Sequence, residues 1–265
     1  MPHPLSITAS YAFFPLTEAE LKTLRDELKN FGAARGMKGL VLLAPEGINS
    51  TVCGDAPAIA EWKEHLRRLK SDIVFKDSSA PREVFKKWAV KIKAELITFK
   101  QQGVAPTGHH KHLTPGEWKQ MLEREDVVVI DTRNTYESNI GKFKNALTPA
   151  IDNFQEFPAA VRAASIPKDK TVMMYCTGGI RCEKAIFSME AQGYQNVYQL
   201  EGGILAYLEQ FPEDAFEGEC FVFDERVAVD QQLQPSSTYK LCSECGDPTM
   251  SQTCTRCASI THSSR

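Results

Sequence analysis

The sequence predicts an α/β protein that has two domains and a short cysteine-rich tail. Strand-like and helical segments alternate through the first hundred residues, and continuous apolar runs separated by helical patterns follow them. Four cysteines in two C-x2-C pairs lie close to the end of the chain. At 265 residues the chain is long enough for two domains that each bury a hydrophobic core.

The first domain is expected at residues 1–100. Its segments run in the order strand, helix, strand, strand, helix, strand, over residues 5–14, 17–31, 37–54 (two strands), 55–69 and 83–99. Thr17 and Glu20 form a capping box at the start of the first helix, and Asp55 opens the second. This order is that of a ferredoxin-like or acylphosphatase-like α+β domain.

A parallel α/β domain is expected at residues 114–215. VVVID (127–131) and TVMMYC (171–176) are continuous apolar runs, as in strands that are buried on both faces, and helical patterns separate them. The preceding glycine- and proline-containing stretch lacks an apolar period and predicts a linker at residues 101–113. Residues 216–265 form a C-terminal extension, which from about residue 231 has too few apolar residues for a core of its own.

Composition excludes several classes of protein. No apolar run approaches the ~20 residues that a membrane-spanning helix requires. The first residues lack the basic segment and cleavage site of a secretory signal, so a cytoplasmic protein is expected. In a reducing compartment the eight cysteines indicate metal binding or catalysis better than structural disulfides.

The segment YCTGGIRCEKA (175–185) has the clearest catalytic pattern. Cys176 directly follows an apolar strand and a helix follows Arg181, which places this loop at the sheet edge where ligands bind in α/β folds. Gly178 and Gly179 allow backbone N–H groups to turn inward, the helix N-terminus adds roughly half a positive charge, and Arg181 adds a full one. The pattern predicts an anion-binding loop with an activated Cys176 thiolate; the alternative is a glycine turn around an inert, buried cysteine.

Three segments of this domain resemble the rhodanese family. They are DTRNTYE (131–137), LEGGILAY (200–207) and the loop CTGGIR, which consists of Cys176, Thr177, Gly178, Gly179, Ile180 and Arg181. The resemblance implies that the loop cysteine bears a persulfide or another covalent intermediate. The C-x4-R spacing is one residue shorter than the C-x5-R loop of related phosphatases, which favours rhodanese chemistry over phosphate binding.

Three residues beside the loop are each open to two interpretations. Cys182, in the first helical turn, is either a second thiol that resolves an oxidised Cys176 or a small buried residue. Asp131 and Arg133 follow the first buried strand and either bind substrate or form an ion pair that holds the loops. Glu137 has no assigned role beyond the start of a helix.

The flanking segments narrow the resemblance to one family. LAPEGIN (43–49), the loop CTGGIRCEK, ECFVFDERV (219–227) and the paired C-x2-C motifs together resemble the rhodanese-related tRNA uridine hydroxylases. The resemblance implies oxygen-dependent 5-hydroxylation of the wobble uridine (position 34) of tRNA, with O2 as co-substrate and Cys176 as the essential residue. No flavin, haem or non-haem iron signature is visible, and no flavin or haem cofactor is expected.

A basic strand is the candidate tRNA contact. Residues 1–114 hold 17 Lys and Arg against 12 Asp and Glu, whereas residues 115–265 hold 14 against 22, so the first domain is expected to receive an anionic partner. Alternation in FKKWAVKIKAE (85–95) directs Trp88, Val90, Ile92 and Ala94 to the core, and the RNA-binding candidates are Lys86, Lys87, Lys91 and Lys93. The alternative is a solvated sheet face with edge lysines.

The tail has a metal-binding pattern. Four thiolates, from Cys242, Cys245, Cys254 and Cys257, can hold a tetrahedral zinc ion, which would fold a segment without a core. The gap of eight residues between the pairs is shorter than in usual zinc ribbons, and redox-labile or disordered cysteines are the alternative. His262 is a weak substitute ligand.

Three functions follow from these patterns. The first is a tRNA-modifying oxygenase, the second is a sulfurtransferase with a persulfide on Cys176, and the third is a non-catalytic RNA-binding module. The intact Cys176 and Arg181 of the loop argue against the third, and the family resemblance favours the first.

Overall fold

The first domain is a five-stranded sheet with two helices on one face. The structure is a computed structural model, and it describes residues 4–108, 110–254 and 257 of the chain. Its elements are β1 (Leu5–Phe13), α1 (Glu18–Ala34), β2 (Lys38–Ala44), β3 (Gly47–Gly54), α2 (Ala56–Leu69), β4 (Val74–Ala80) and β5 (Trp88–Ile92). The strand order is β4-β1-β3-β2-β5, with β5 parallel to β2 and the other pairs antiparallel. The predicted ferredoxin-like order of strand, helix, strand, strand, helix, strand is confirmed by β1 to β4, and β5 is an additional strand.

Helix α1 begins where the sequence predicts it. The Thr17 hydroxyl accepts from the Glu20 N–H, and the Glu20 carboxylate accepts from the Thr17 N–H, so both members of the capping box are made. Leucines at helical spacing then bury one side of the helix against the sheet, together with Trp62 of α2. Both helices cover the same sheet face, because Val41 of β2 belongs to this cluster.

The last two strands differ from the prediction. The sixth element is β4 at Val74–Ala80, which escapes pattern analysis because its sequence is mostly polar. The predicted strand over 83–99 is only β5, whose last residue pair with its single partner β2 is Ile92 with Leu43. Trp88 and Val90 pack toward the helices as predicted, but Ile92 is 37% exposed and Ala94 is also exposed.

The second domain contains a parallel sheet of order β6-β10-β9-β7. Its elements are β6 (His112–Leu113), α3 (Pro115–Leu122), β7 (Val127–Asp131), α4 (Thr135–Ser138), β8 (Gly141–Phe143), α5 (Phe157–Ala164), β9 (Thr171–Tyr175), α6 (Ile180–Ala191), β10 (Val197–Leu200), α7 (Gly203–Gln210) and β11 (Phe216–Gly218). Successive residues of β9 belong to different hydrophobic clusters. Met174 packs in the cluster that contains α5 and α6, and Met173 packs in the cluster that contains α3 and α7. The sheet is therefore covered on both faces, and the predicted parallel α/β architecture is confirmed.

The segment between the two sheets takes part in the second domain at two places. Phe99 stacks on Phe154 with ring centroids 4.6 Å apart, inside the cluster on one face of the second sheet. His112 and Leu113 form the edge strand β6, which lies within the predicted linker and is too short to produce an apolar period.

The C-terminal extension forms two small ribbons. They are β12 (Cys220–Phe221) with β13 (Ala228–Val229), and β14 (Lys240–Leu241) with β15 (Pro248–Thr249). The first ribbon packs on the second domain through Cys220 and Val229, whereas β14 is exposed. In the described part of the chain, no helix has both the length and the apolar character needed to cross a membrane.

Candidate active site

Cys176 lies in a tight loop between β9 and α6. Strand β9 is buried along its whole length, so Cys176 leaves the sheet at its carboxyl edge and is itself only 1% exposed. Gly179 has a φ of +98°, in the left-handed region, and its N–H donates to the Cys176 Sγ at 3.1 Å. The loop therefore directs a backbone dipole at the sulfur.

The Cys176 thiol is buried and nevertheless acidic. Burial would raise its pKa, but a hydrogen bond from Cys182, the charge of Arg181 and the backbone N–H groups of Arg181 and Gly179 lower the pKa to about 5. Cys176 is therefore a thiolate at neutral pH, which is the nucleophilic form of cysteine.

Cys182 retains its proton beside this thiolate. It is fully buried, and its Sγ lies 3.6 Å from the Thr132 hydroxyl. Burial and the neighbouring Cys176 raise the pKa of Cys182 well above its usual value. The two sulfurs are thus hydrogen-bonded neighbours, an arrangement that both the resolving-thiol and the space-filling interpretation allow.

Arg181 is bound within the protein by a carboxylate. Its Nη1 and Nη2 donate to the Oε2 and Oε1 of Glu137 at 2.6 and 2.7 Å, and both side chains are buried. The expectation that Arg181 adds a full positive charge to the loop is corrected, because Glu137 neutralises much of it. Glu137 also accepts from the Thr177 hydroxyl at 3.4 Å, so it holds the loop at two points.

Asp131 and Arg133 form a second buried pair below the loop. Arg133 donates to the Asp131 carboxylate through Nε at 2.9 Å and Nη2 at 2.7 Å, and both residues have no exposed surface. The hydroxyls of Tyr175 and Ser138 donate to the same carboxylate, and Arg133 also donates to the Gly141 carbonyl. Of the two interpretations, the geometry matches an ion pair that holds the loops.

The first domain closes over the catalytic loop through Tyr11. A Cβ on Gly179 would lie 2.7 Å from the Tyr11 hydroxyl, so only glycine fits beneath this side chain. The hydroxyl donates to the Glu183 Oε1 at 3.1 Å, and the His112 ring is hydrogen-bonded to the same oxygen at 2.8 Å. Glu183 is fully buried, so helix α6 contacts the first domain through a specific polar network.

Lys184 adds a second connection between α6 and the first domain. Its Nζ lies 2.9 Å from a Glu46 carboxylate oxygen and 2.7 Å from a Glu95 one, and the side chain is only 2% exposed. Moving α6 away from the first domain would leave the buried Lys184 charge without its two carboxylate partners, which is strongly unfavourable. The helix that bears Arg181 and Cys182 is therefore fixed against the first domain.

A cleft of about 450 Å³ lies between the catalytic loop and the uncovered face of the first sheet. Alternate residues of β1 to β4 form the sheet side, including Ala9, Tyr11, Leu42, Asn49, Thr51 and Lys76. Cys176 lies on the opposite side of the cleft, with Thr177 and Gly178. The volume lies within the usual range of small-molecule sites.

The segment ECFVFDERV forms a third wall of this cleft. Arg226 pairs with Asp224 at 2.6 Å and donates to the Ser78 hydroxyl at 2.8 Å, which attaches the segment to the first domain. Phe223 then lies along the cleft and remains 59% exposed, with the Arg181 guanidinium 5.7 Å from its ring centroid. An exposed aromatic ring is thus present near the catalytic loop.

The four candidate RNA-binding lysines are exposed on or beside the edge strand β5. Lys91 pairs in register with Leu42, so both side chains occupy the sheet face that lines the cleft. The flanking backbone of Lys87 and Lys93 is still paired with β2, and alternation places both on this face. Lys86 lies before the strand, outside its pairing with β2.

The four cysteines of the tail come together. All distances between the four Sγ atoms are at most 4.8 Å; the residues are Cys242, Cys245, Cys254 and Cys257. The Sγ atoms of Cys245 and Cys254 are 3.7 Å apart. Thiolates at the usual 2.3 Å from a tetrahedral zinc ion are about 3.8 Å from one another. The four residues therefore fit a zinc ion; His262 lies outside the described residues.

Sequence reasoning missed four residues of this site: Tyr11, Lys76, Glu137 and Glu183. Only Glu137 had a signal, as a carboxylate within the DTRNTYE segment that follows a buried strand. Tyr11 and Lys76 lie on strands of the other domain, and no spacing pattern links them to the loop.

Two family models match the chain. One, described as "UPF0176 acylphosphatase like domain", matches residues 5–96, and the other, "Rhodanese-like domain", matches residues 114–210. A Bdellovibrio bacteriovorus protein named tRNA uridine(34) hydroxylase is 46% identical over 257 residues, covering 95% of this chain and 73% of the relative. Relatives of the same name from Prochlorococcus marinus (strain NATL1A) and Legionella pneumophila (strain Paris) are 42% and 43% identical, covering 91% and 86% of this chain and 79% and 91% of theirs. The chain therefore belongs to the tRNA uridine(34) hydroxylase family.

Proposed function

We propose that this protein hydroxylates C5 of the uridine at position 34 of tRNA, in the cytoplasm, with O2 as co-substrate and Cys176 as the essential thiol. One observation carries the proposal. In a chain of this family, an acidic, buried Cys176 thiol lies in a cleft between the two domains. A nucleophilic sulfur placed there can act directly on a base that enters the cleft.

The dimensions of the cleft support a single-nucleotide substrate. A base in an anticodon loop can leave its stack, whereas a paired base in a helix cannot reach a recessed sulfur without being flipped out. About 450 Å³ is adequate for one nucleotide. The exposed ring of Phe223 offers a stacking surface for the base, since aromatic rings are the common platforms for unstacked bases.

The lysine edge supports contact with the rest of the anticodon arm. Lys87, Lys91 and Lys93 share the sheet face that lines the cleft, at its outer strand. A nucleic acid whose base occupied the cleft would therefore bring its backbone phosphates toward these side chains. We assign Lys86 a peripheral position, because it lies before β5 and outside its pairing with β2.

We also propose that the four tail cysteines hold a structural zinc ion. The ion would hold the β14–β15 ribbon and the cysteine pair that follows it in one folded unit.

A sulfurtransferase is the second candidate function. The observation that favours it is the hydrogen bond from the Gly179 N–H to the Cys176 Sγ, since inward N–H groups stabilise a persulfide anion as well as a thiolate. The two functions differ in the modification that they leave on tRNA.

Complementation with mass spectrometry of the wobble nucleosides tests the proposal. Cells that lack the gene are given the wild-type protein, Cys176→Ala, or the matched control Cys53→Ala, which truncates another buried free cysteine. We expect hydroxylated uridine to disappear from the deletion strain and from Cys176→Ala cells, and to return with the wild type and Cys53→Ala. Loss of a thiolated base with unchanged hydroxyuridine would instead establish the sulfurtransferase. Full complementation by Cys176→Ala would exclude both enzymatic functions.

A further inference from the structure

We propose that Lys76, a side chain of the first domain, is the counter-ion of the Cys176 thiolate, so that the first domain completes the catalytic site. The inference deepens the proposed function, since it rests on Cys176 as the reactive thiol. It assigns Lys76 a positioning role, exerted through the sulfur.

The position of Lys76 is the first argument. Lys76 pairs in register with Ala9, so its side chain occupies the same sheet face as Ala9 and Tyr11 and lines the cleft. The side chain is only 7% exposed, and its Nζ lies 4.3 Å from the centroid of the Tyr11 ring. Because the Tyr11 hydroxyl lies directly over Gly179, this cation–π contact holds the ammonium beside the catalytic loop.

The second domain also contacts the aliphatic part of Lys76. A Cβ on Gly202 would lie 3.9 Å from the Lys76 Cε, and a Cβ on the adjacent Gly203 would lie 2.5 Å from the Cys176 carbonyl oxygen. Gly203 thus leaves room for the catalytic loop, and the adjacent Gly202 lies beside the Lys76 side chain.

A comparison of charges along the cleft is the second argument. Among the described charged residues that line it, Asp77 pairs with Lys63, Arg181 with Glu137, and Asp224 with Arg226. In the same part of the chain no carboxylate oxygen lies within 4.0 Å of the Lys76 Nζ. Among the described residues that line the cleft, the Lys76 ammonium and the Cys176 thiolate are thus the two opposite charges that form no such ion pair with a charged side chain.

A buried cation without a direct anion is costly, and such groups concentrate at functional sites. Burial lowers the pKa of Lys76, and the negative charges of Cys176, Glu183 and Glu201, largest first, partly oppose it, so the pKa is about 8. Glu183 is already hydrogen-bonded to Tyr11, His112 and Gln199. Lys76 is therefore protonated at neutral pH, with the thiolate as the leading anion that acts on it.

The alkylation rate of Cys176 as a function of pH tests this inference without tRNA or O2. The full-length protein is treated with iodoacetamide between about pH 5 and pH 9 and digested with trypsin. Cleavage separates Cys176, in peptide 171–181, from Cys182, in peptide 182–184, so mass spectrometry follows each thiol alone. The variants are Lys76→Met and Lys76→Gln, which remove the charge, Lys76→Arg, which retains it, and Lys29→Met on α1 as a control for loss of an exposed lysine.

The sign of the expected effect follows from the charges. Loss of the cation disfavours the thiolate, so the Cys176 pKa rises and alkylation at the acid end becomes about three- to ten-fold slower. The other charged or titratable groups around the pair, Tyr11, Glu137, Arg181, Cys182, Glu183 and Glu201, are unchanged in all variants. Because the Cys176 thiol is fully ionised well above its pKa of about 5, and also above a pKa about one unit higher, the wild-type and Lys76→Met rates should converge as the pH passes neutral. Lys76→Arg and Lys29→Met should follow the wild type.

Two results would overturn the inference. One is an unchanged profile in both Lys76→Met and Lys76→Gln. The other is a rate reduced equally at every pH, with Lys76→Arg affected to the same degree, because this pattern indicates a change of access or packing. Either result leaves the proposed hydroxylation standing, since that activity is tested separately by the nucleosides of the complemented cells.

Discussion

The guanidinium of Arg181 and the carboxylate of Glu137 form a bidentate pair across the catalytic loop, with N–O distances of 2.6 and 2.7 Å. The pair is buried, so each group depends on the other for its charge balance. Glu137 also accepts from Thr177, the residue that follows the catalytic cysteine. The position of Cys176 therefore depends on an ion pair as well as on backbone geometry.

Replacement of Glu137 by alanine should destabilise the protein by about 3 kcal/mol, because Arg181 would remain buried without its partner. Glu137→Gln should cost less, since the amide can still accept one hydrogen bond. Urea unfolding of the two variants measures the difference. The control is Asp214→Ala, which removes half of the more exposed pair with Lys119 and should cost less than about 1 kcal/mol. Equal costs for Glu137→Ala and Asp214→Ala would contradict the structural role of Glu137.

The two loop glycines should respond differently to alanine. Gly179 has a positive φ and lies beneath the Tyr11 hydroxyl, whereas a Cβ on Gly178 meets no atom within 4 Å. Gly179→Ala should therefore lower the free energy of unfolding by at least about 1–2 kcal/mol, and Gly178→Ala by less than about 0.5 kcal/mol. Thermal or urea unfolding of the pair checks this. Similar stability of both variants would show that the first domain does not close on the loop as described.

The strongly periodic parts of this chain were predictable. The apolar runs that form β7 and β9, the capping box of α1 and the glycines of the loop are local patterns with direct physical causes. Strand β4 was not predictable, because Lys76, Asp77 and Ser78 have no apolar alternation. Its place is determined by pairing with β1, which is a contact distant in sequence.

The composition of the site was predictable only within its own domain. Cys176, Arg181 and Cys182 are consecutive in one loop and helix, so their proximity follows from the sequence. Tyr11 and Lys76 reach the same cleft because the two domains pack face to face, which no local pattern encodes. The charge of Arg181 was overestimated for the same reason, since its partner Glu137 lies on a different element.

Cys182 should set the acidity of its neighbour. Burial raises the Cys176 pKa, and the hydrogen bond from Cys182 is the largest of the contributions that lower it to about 5. In Cys182→Ala this bond is lost, so the pKa of Cys176 should rise. The midpoint of Cys176 alkylation should then move to a higher pH, because a smaller fraction of Cys176 is thiolate at low pH. Iodoacetamide labelling of peptide 171–181 across the pH range measures the midpoint. Cys53→Ala is the matched control, and a Cys182→Ala profile identical to it would leave Cys182 only as a space-filling residue.

The tail should contain one zinc ion per chain, held by four thiolates. Metal analysis of the purified protein should give a 1:1 ratio in the wild type and in Cys53→Ser, and a large loss in Cys245→Ser and Cys254→Ser. Chelation should unfold the tail, which proteolysis can detect as new cleavage after about residue 231, while the Cys176 loop remains intact. Wild-type protein without zinc, purified without chelator, would refute the assignment.

We expect the lysines at the β5 edge to bind the phosphates of tRNA. Replacing one of them should therefore lower the affinity of the protein for tRNA without changing its sequence preference. Lys91 shares the cleft-side face of the sheet with Leu42, whereas Lys29 lies on α1, against the opposite face. Lys91→Glu should weaken binding of an anticodon stem-loop and reduce the slope of log K against log salt concentration by about 0.7–0.9 per lost phosphate contact. Lys29→Glu makes the same change of net charge and should leave the slope unaltered. Titrations at several salt concentrations separate the cases: an equal effect of both variants would indicate only a general dependence on net charge, and the basic strand would then be a solvated edge.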